Sequence, residues 1–590
     1  MIESRRLTIA YSGQSAGSGP LSVGQDNMVR CTLNDEPSDV NKQGAWPVPP
    51  GADVQTAVAA LRTLAERHES LRTVYPGPAG RQPVVQTVLA EGEFELELVE
   101  TDEDPAEVAD RIGRRSRAVR FDLAAEFPLR LALITAEGKP VLLSVTVCHA
   151  AADGAATGRL LEEWMALASG RTLPPADGPT PRQLAVQERS AAGSGRMRRS
   201  LRHWERILRT APHAVFADSS VGPSEGLLTS RAVHSTAAAA ALESASLRLG
   251  ASPSAIMLAA YAALAAHRAN QRTVVIAALS SNRHRPGLAD YVGTLAQDAL
   301  IRLDADAGDF DRLVAGASGA AMTAYLHSTF ESAAVWDLID EAARQRGARF
   351  ARHLVINDLS SIVPEMLNRD VPVLPEDPHL VPLPAERIPT RLMLNIWRLS
   401  GCVSFTLHAD PRLFAPDEPD RFARGLLRLV AEAATRTVPL AELGELTGLS
   451  PAARTGQWQQ VDGSWIDLAA VRELLRTALG EREIRLETED GRLLARIAEN
   501  NRPITPELAH RAVLDVLFRR RGTFVPGQEA WAANEPVGGA LSGWETAMAP
   551  QWYEIHRGSP EPQVTAAADW ARLPVVAAGD GRVTSPERVR

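Results

Sequence analysis

The sequence predicts an α/β protein of more than one domain. Three observations carry this. The chain has 590 residues, 45% of them hydrophobic, enough for several cores. Two stretches, 141–147 and 273–279, are rich in β-branched residues and nearly free of charge, as buried strands are. Two others read as helices: 53–71 carries apolar residues at helical spacing, and 252–269 is alanine-rich.

The elements follow in order. Leu7 to Tyr11 reads as an edge strand, and a Gly/Ser-rich loop follows. Ser22 is placed to cap a helix. In 53–71, Val54, Val58, Leu61, Leu64 and Ala65 share one face. Strands at 129–135 and 141–147 flank the turn residues Ala136-Glu137-Gly138-Lys139-Pro140, which predicts a hairpin. The second strand runs into Cys148-His149-Ala150-Ala151-Ala152-Asp153-Gly154, and Leu160, Leu161, Trp164 and Leu167 then mark a helix. His149 therefore stands where a core strand ends and a loop opens, a rigid mount for a reactive side chain. Taken alone, the stretch reads more simply as a structural histidine before an N-capped helix.

Residues 173–181 are Pro-rich and read as a linker, and 182–206 as a charged helical stretch. Further strands are expected at 353–358, 391–397 and 403–408, and a helix at 420–434. Residues 451–463 read as a polar linker. A helix at 469–479, a hairpin of 484–489 and 493–498 turning on Asp490-Gly491, and a helix at 505–518 follow.

Composition excludes several functions. The net charge is −9, and no basic run is interleaved with aromatics, so no nucleic-acid partner is expected. Cys31, Cys148 and Cys402 are far apart, which predicts neither disulfides nor a metal site. No segment is long and apolar enough for a membrane and no signal core opens the chain, so the expected location is cytoplasmic. There is no P-loop, no well-placed GxGxxG and no G-x-S-x-G elbow.

Cys148 to Gly154 resembles the HHxxxDG signature of nonribosomal peptide synthetase condensation domains, which belong to the chloramphenicol acetyltransferase-like acyltransferases. The second His, the Asp and the Gly are present; Cys148 stands at the first His. Arg67-His68-Glu69-Ser70-Leu71-Arg72-Thr73-Val74-Tyr75 resembles the family's RHExLRTxF, with Tyr for Phe. Ser22 to Gln25 is similar to its S-x-x-Q, 120–130 to FDLxxxPLxR, and 291–298 to VGxFVNTLPLR, while 327–331 falls where a His-containing motif sits. The resemblance covers about residues 20 to 435. It implies two such lobes in a V, at 1–175 and 176–445, with the active site between them. A small α+β domain at 455–558 resembles the C-terminal subdomain of adenylate-forming enzymes. The nucleotide-binding part is missing, so no adenylation is expected. A tail occupies 559–590. Gly538-Gly539-Ala540-Leu541-Ser542 approximates a carrier-protein phosphopantetheine site, but its serine is one residue late, so a loop is expected there.

The resemblance implies a free-standing condensation enzyme. It would join an acyl or aminoacyl group, thioester-linked to a carrier protein, to an amine or hydroxyl acceptor, small or tethered. No cofactor is bound; the phosphopantetheine arm comes with the partner. His149 accepts or positions the acceptor's proton. Asp153 is either a second base or, by preference, an ion-pair partner fixing the loop, with Arg72 and Arg283 as candidates. Gly154 lets the backbone turn and the arm pass, and its amide can face an oxyanion. Cys148 supports the loop; as a nucleophile it is disfavoured, since neighbours on an extended chain point apart. Two alternatives stay open: a degenerate member that binds or recruits carrier proteins, and an acyl-CoA-dependent small-molecule acyltransferase.

Overall fold

The computed structural model describes residues 3–78, 81–176, 178–217, 227–362, 373–489, 492–498, 504–517 and 531–535. The first lobe is built on a five-stranded sheet in the order Glu3–Ser12, Glu91–Glu100, Leu129–Ala136, Lys139–Val147, Lys42–Pro47. Only the second and third strands run parallel; the other neighbours are antiparallel. The predicted hairpin is Leu129–Ala136 with Lys139–Val147. Its two turn residues, Glu137 and Gly138, both have positive φ (51° and 72°), which matches the right-handed twist of the strands. The helices Val54–Arg67 and Gly154–Ala168 cover one face, burying Leu61, Leu64, Leu160 and Trp164 against Leu131, Leu143 and Val145. Pro105–Arg117 covers the other face with Val108 and Ala109.

The second lobe carries a seven-stranded sheet in the order Gln297–Asp304, Thr273–Ser280, Leu354–Asp358, Leu392–Arg398, Val403–Ala409, Leu227–Ser235, His379–Arg387. Its three inner strands from Thr273–Ser280 to Leu392–Arg398 are parallel. Helix Pro253–Ala269 is buried on nearly every side, and Phe422, Leu426 and Leu429 of Glu418–Ala433 join the same core. The lobes echo each other: each has a hairpin, at 129–147 and 392–409, that leads into a core helix. Among the described residues, no single helix is long and apolar enough to cross a membrane.

Three expectations are corrected. The helix predicted over 53–71 ends at Arg67, and Glu69–Arg72 is a 3-10 turn. The stretch 182–206 is two helices, Pro181–Arg189 and Ala191–Thr210, broken at Ser190, whose hydroxyl caps the second. Residues 451–463 are not a loose linker. Trp458–Val461 and Ser464–Asp467 form a hairpin seated on the second lobe. The His213 amide donates to Ser464 Oγ at 3.0 Å, the Trp465 indole donates to the Asn270 carbonyl at 2.7 Å, and Arg346 pairs with Asp462. Polar side chains that read as solvated in the sequence are consumed at this contact. Beyond it, Leu468–Leu479, the antiparallel pair Ile484–Glu489 and Arg492–Ala498, and Pro506–Leu517 share a small core around Val471, Leu475, Ala495 and Val513. The Asp490-Gly491 turn, the 538–542 segment and the tail lie outside the described residues.

Candidate functional site

The site begins at the end of strand Lys139–Val147. Cys148 keeps one sheet-like bond, its amide donating to the Pro128 carbonyl at 2.9 Å; the Ala151 amide then bonds back to the Cys148 carbonyl at 2.9 Å. The chain thus turns within three small residues, Ala150, Ala151 and Ala152, all buried. Larger side chains would not fit there. Asp153 caps the following helix, its Oδ1 accepting from the Ala156 amide at 2.9 Å. This is the N-cap that the Asp-Gly pattern predicts.

Asp153 does more than cap. Its Oδ2 accepts from Arg283 Nη1 at 2.9 Å and from the amides of Leu295 and Ala296 at 2.8 and 3.0 Å. Arg283 Nη2 lies 2.9 Å from Oδ1. All of these partners belong to the second lobe, so one buried carboxylate of the first lobe holds the 283–296 loop of the second. Burial alone would raise this carboxyl, but the Arg283 guanidinium and the amides outweigh it and hold the group below its ordinary value. Arg283 is itself fixed by the carbonyls of Ser281, Tyr291 and Gly293. Asn282, with φ of 54°, secures the loop base through the Leu295 and Ser328 carbonyls.

Of the two arginines considered for Asp153, the structure selects Arg283. Arg72 is corrected. The 3-10 turn sends its buried guanidinium to the carbonyls of Ala65, Ser15 and Leu89, all in its own lobe. The expected turning role of Gly154 is also corrected. Gly154 is the first helical residue, without positive φ, and an added Cβ would meet only Leu359 Cδ2 at 4.0 Å. It is exposed, and that nearest side chain belongs to the opposite lobe.

His149 is half-buried, and its Nδ1 is sealed from solvent without a well-formed hydrogen bond. Burial, and secondarily the charge of Lys42, lower its pKa to about 4; Asp153 and a contact with its own backbone oppose this weakly. The imidazole is therefore neutral at physiological pH. Cys148 lies with Leu21, Tyr75, Phe121 and Leu123 in an apolar cluster, and burial pushes its thiol up to about 11.

Some site contacts were not evident from spacing. Tyr75 Oη donates to the Ala150 carbonyl at 2.9 Å and accepts from Gln25 Nε2 at 3.3 Å. Gln25 also donates to Gln86 and receives the Ser22 amide, closing a reciprocal cap. The S-x-x-Q and RHExLRT segments thus meet beneath the loop that carries His149. Gln86 gave no signal in the sequence. His68 and Arg67 pair with Glu163 within the first lobe, while Glu69 pairs with Arg182 beyond it, so these side chains are engaged in structural ion pairs.

The family model for the condensation domain matches residues 17–454. Phosphinothricin tripeptide synthetase PhsC of Streptomyces viridochromogenes is 29% identical over 262 residues, 42% of this chain and 24% of that protein. The probable non-canonical nonribosomal peptide synthetase CymA of Salinispora arenicola is 25% identical over 437 residues, 70% of this chain and 5% of that protein. The chain therefore spans less than a quarter of the length of these curated relatives. Among solved structures, the first condensation domain of the calcium-dependent antibiotic synthetase, in complex with a substrate analogue, superposes with a TM-score of 0.56 at 19% identity, covering 73% of this chain and 99% of that one. The condensation domain of the monacolin K polyketide synthase MokA gives 0.58 at 17%, covering 72% and 100%. The two mixed lobes accordingly have the chloramphenicol acetyltransferase-like fold, and the chain belongs to the condensation-domain family.

Proposed function

We propose that this chain is an acyltransferase forming an amide or ester bond, with His149 as its catalytic residue. The donor is an acyl or aminoacyl thioester on a carrier protein's phosphopantetheine arm, and the acceptor an amine or hydroxyl. The observation that carries the reading is a neutral imidazole on a rigid strand end, beside the ion pair that joins the lobes. Attack by the acceptor on the thioester carbonyl requires a proton to leave nitrogen or oxygen, and a neutral histidine accepts it or orients the nucleophile. Asp153 serves as a positioning residue. All its lone-pair directions are engaged by Arg283 and backbone amides, which leaves none to take a substrate proton. Cys148 packs the loop. Its thiol is buried and protonated, the opposite of an activated nucleophile. The exposed Gly154, with only Leu359 nearby, leaves room for an extended arm between the lobes.

The test is a mass-spectrometric condensation assay. It compares a loaded carrier protein, the matching acyl-CoA and an N-acetylcysteamine thioester as donors. Product from the loaded carrier well above that from acyl-CoA supports the reading. Preference for acyl-CoA selects the small-molecule acyltransferase, and no product from any donor selects the degenerate binding protein.

A further inference from the structure

The helix Ala191–Thr210 contains six arginines and a single acidic residue, Glu205, in a chain whose net charge is −9. Five of them, Arg196, Arg199, Arg202, Arg206 and Arg209, recur every three or four residues and so lie along one face. They extend over about 20 Å at 1.5 Å per residue. The opposite face is the buried one, with Met197, Trp204, Ile207 and Leu208 packed inward. Like charges at this spacing repel and weaken a helix. Few acids relieve them: Arg209 pairs with Glu205 and the buried Glu188 feels Arg196, while Arg199 and Arg202 make no ion pair among the described residues.

The stripe has neighbours. The His327 ring, just after helix Phe310–Leu326, lies 5.3 Å from that of His203 on the arginine helix. One turn apart on that second helix, Met322 and Leu326 are 65% and 56% exposed, two large apolar side chains with no cover. On the other flank stands Arg285, two residues beyond the Arg283 that binds Asp153; its Nε and Nη2 are sealed from solvent without partners. The charges are felt locally: His327 is lowered first by burial and then by Arg199, Arg206 and Arg202, and His284 by burial and then by Arg285 and Arg196. The arginine helix thus reaches the loop that Asp153 holds, where Arg196 acts on His284.

We propose that this face, the Arg196–Arg206 stripe with Met322 and Leu326, docks the acidic surface of the carrier protein that brings the thioester. The proposal rests on the function above and names the surface that function would use. Charge complementarity and an exposed apolar pair are what a protein surface of opposite sign would meet. Coenzyme A gathers its phosphates at one end and would meet only part of the stripe. On this helix a nucleic acid would find no exposed aromatic ring to stack on, since Trp204 is buried, and it would face a chain of net charge −9.

The test uses the full chain and the triple variant Arg199→Glu, Arg202→Glu, Arg206→Glu. Fluorescence anisotropy measures binding of a labelled recombinant holo peptidyl carrier protein at 50 and 300 mM salt. The expected result is wild-type binding that weakens with salt and weakens at least tenfold in the variant. Turnover of the N-acetylcysteamine donor, which needs no docking, should stay within twofold and shows that the variant is folded. A further variant, Met322→Ser with Leu326→Ser, should weaken carrier binding without changing the salt dependence. Equal binding by wild type and triple variant, no wild-type binding, or stripe-dependent binding of a 20-base-pair duplex or coenzyme A instead would overturn the proposal. If carrier binding follows the stripe but no donor is turned over, the surface stands and the chemistry assigned to His149 falls.

Discussion

His149 and Cys148 are chain neighbours with opposite chemistry. The imidazole is half-buried and neutral, whereas the thiol is enclosed among Leu21, Tyr75 and Phe121. His149→Ala should lower turnover by about a hundredfold or more, the scale of a lost general base; steady-state kinetics with a thioester donor measures it. The wild-type pH profile carries a second signature. A base must be unprotonated, and the His149 pKa lies at about 4. The acid limb of kcat/KM should therefore be flat from neutral pH to about 5 and fall only as pH approaches 4. A limb near 6.5 would place the catalytic imidazole in water-like surroundings. Cys148→Ala should keep most activity and cost about 1 kcal/mol of stability through lost packing. Intact-protein mass spectrometry should detect no acyl-enzyme. A hydroxylamine-sensitive adduct that disappears in Cys148→Ala would replace the direct transfer by a two-step one.

At the scale of elements, two of the contacts between the lobes meet at the 283–296 loop. One is the Asp153–Arg283 pair, with both side chains under 10% exposed. Asp153→Asn leaves a buried guanidinium without its counter-charge, so a loss of about 3 kcal/mol is expected along with activity. Thermal denaturation distinguishes this from a purely chemical role, in which the melting temperature would not move. The other contact is Gly24, within helix Val23–Asn34. A Cβ at this position would fall 2.1 Å from the Thr294 carbonyl oxygen of the second lobe. Gly→Ala inside a helix ordinarily stabilises by about 1 kcal/mol. Here the clash is with backbone that holds the Asp153 loop. Gly24→Ala should destabilise the protein and lower turnover together, as unfolding and kinetic measurements would show. A stabilised, fully active variant would mean that the lobes separate freely.

For the whole molecule, acid sensitivity follows from buried neutral histidines. Burial lowers His213 to about 4 and His353 to about 3. Their unfolded values lie near 6.5, so between pH 6.5 and 4 the unfolded chain binds more protons and stability falls as pH falls. Each group contributes roughly 1.4 kcal/mol per unit of pH across its window. Chemical denaturation at pH 7 and pH 4.5 should show a loss of several kcal/mol. His213 sits where the C-terminal hairpin meets the second lobe, 3.8 Å from Asp462. That contact should therefore open first, visible as early proteolysis within 455–470.

Much of this was legible in the sequence because it is local. Turn residues between two strands announced the 129–147 hairpin, Asp153 announced an N-cap, and Ser22 announced another, which Gln25 closes reciprocally in the structure. Each depends on residues within a few positions, where backbone geometry and hydrogen bonding are nearly independent of the rest of the chain. The motif from Cys148 to Gly154 likewise pointed to the candidate site, whose Asp153 the structure ties to Arg283. Strand Glu91–Glu100 is legible in the same local way, because glutamates and apolar residues alternate strictly from Glu93 to Leu98, the pattern of a half-buried strand. What the tertiary structure decided lies between distant segments. Only the packed lobes could choose Arg283 over Arg72 for Asp153, bring Tyr75 and Gln25 beneath the loop of His149, and turn the residues after 450 into a docked hairpin. In each case several partners were chemically equivalent in the sequence. The choice among them belongs to distance, burial and the pairing of charges once water is excluded, and these exist only in the folded chain.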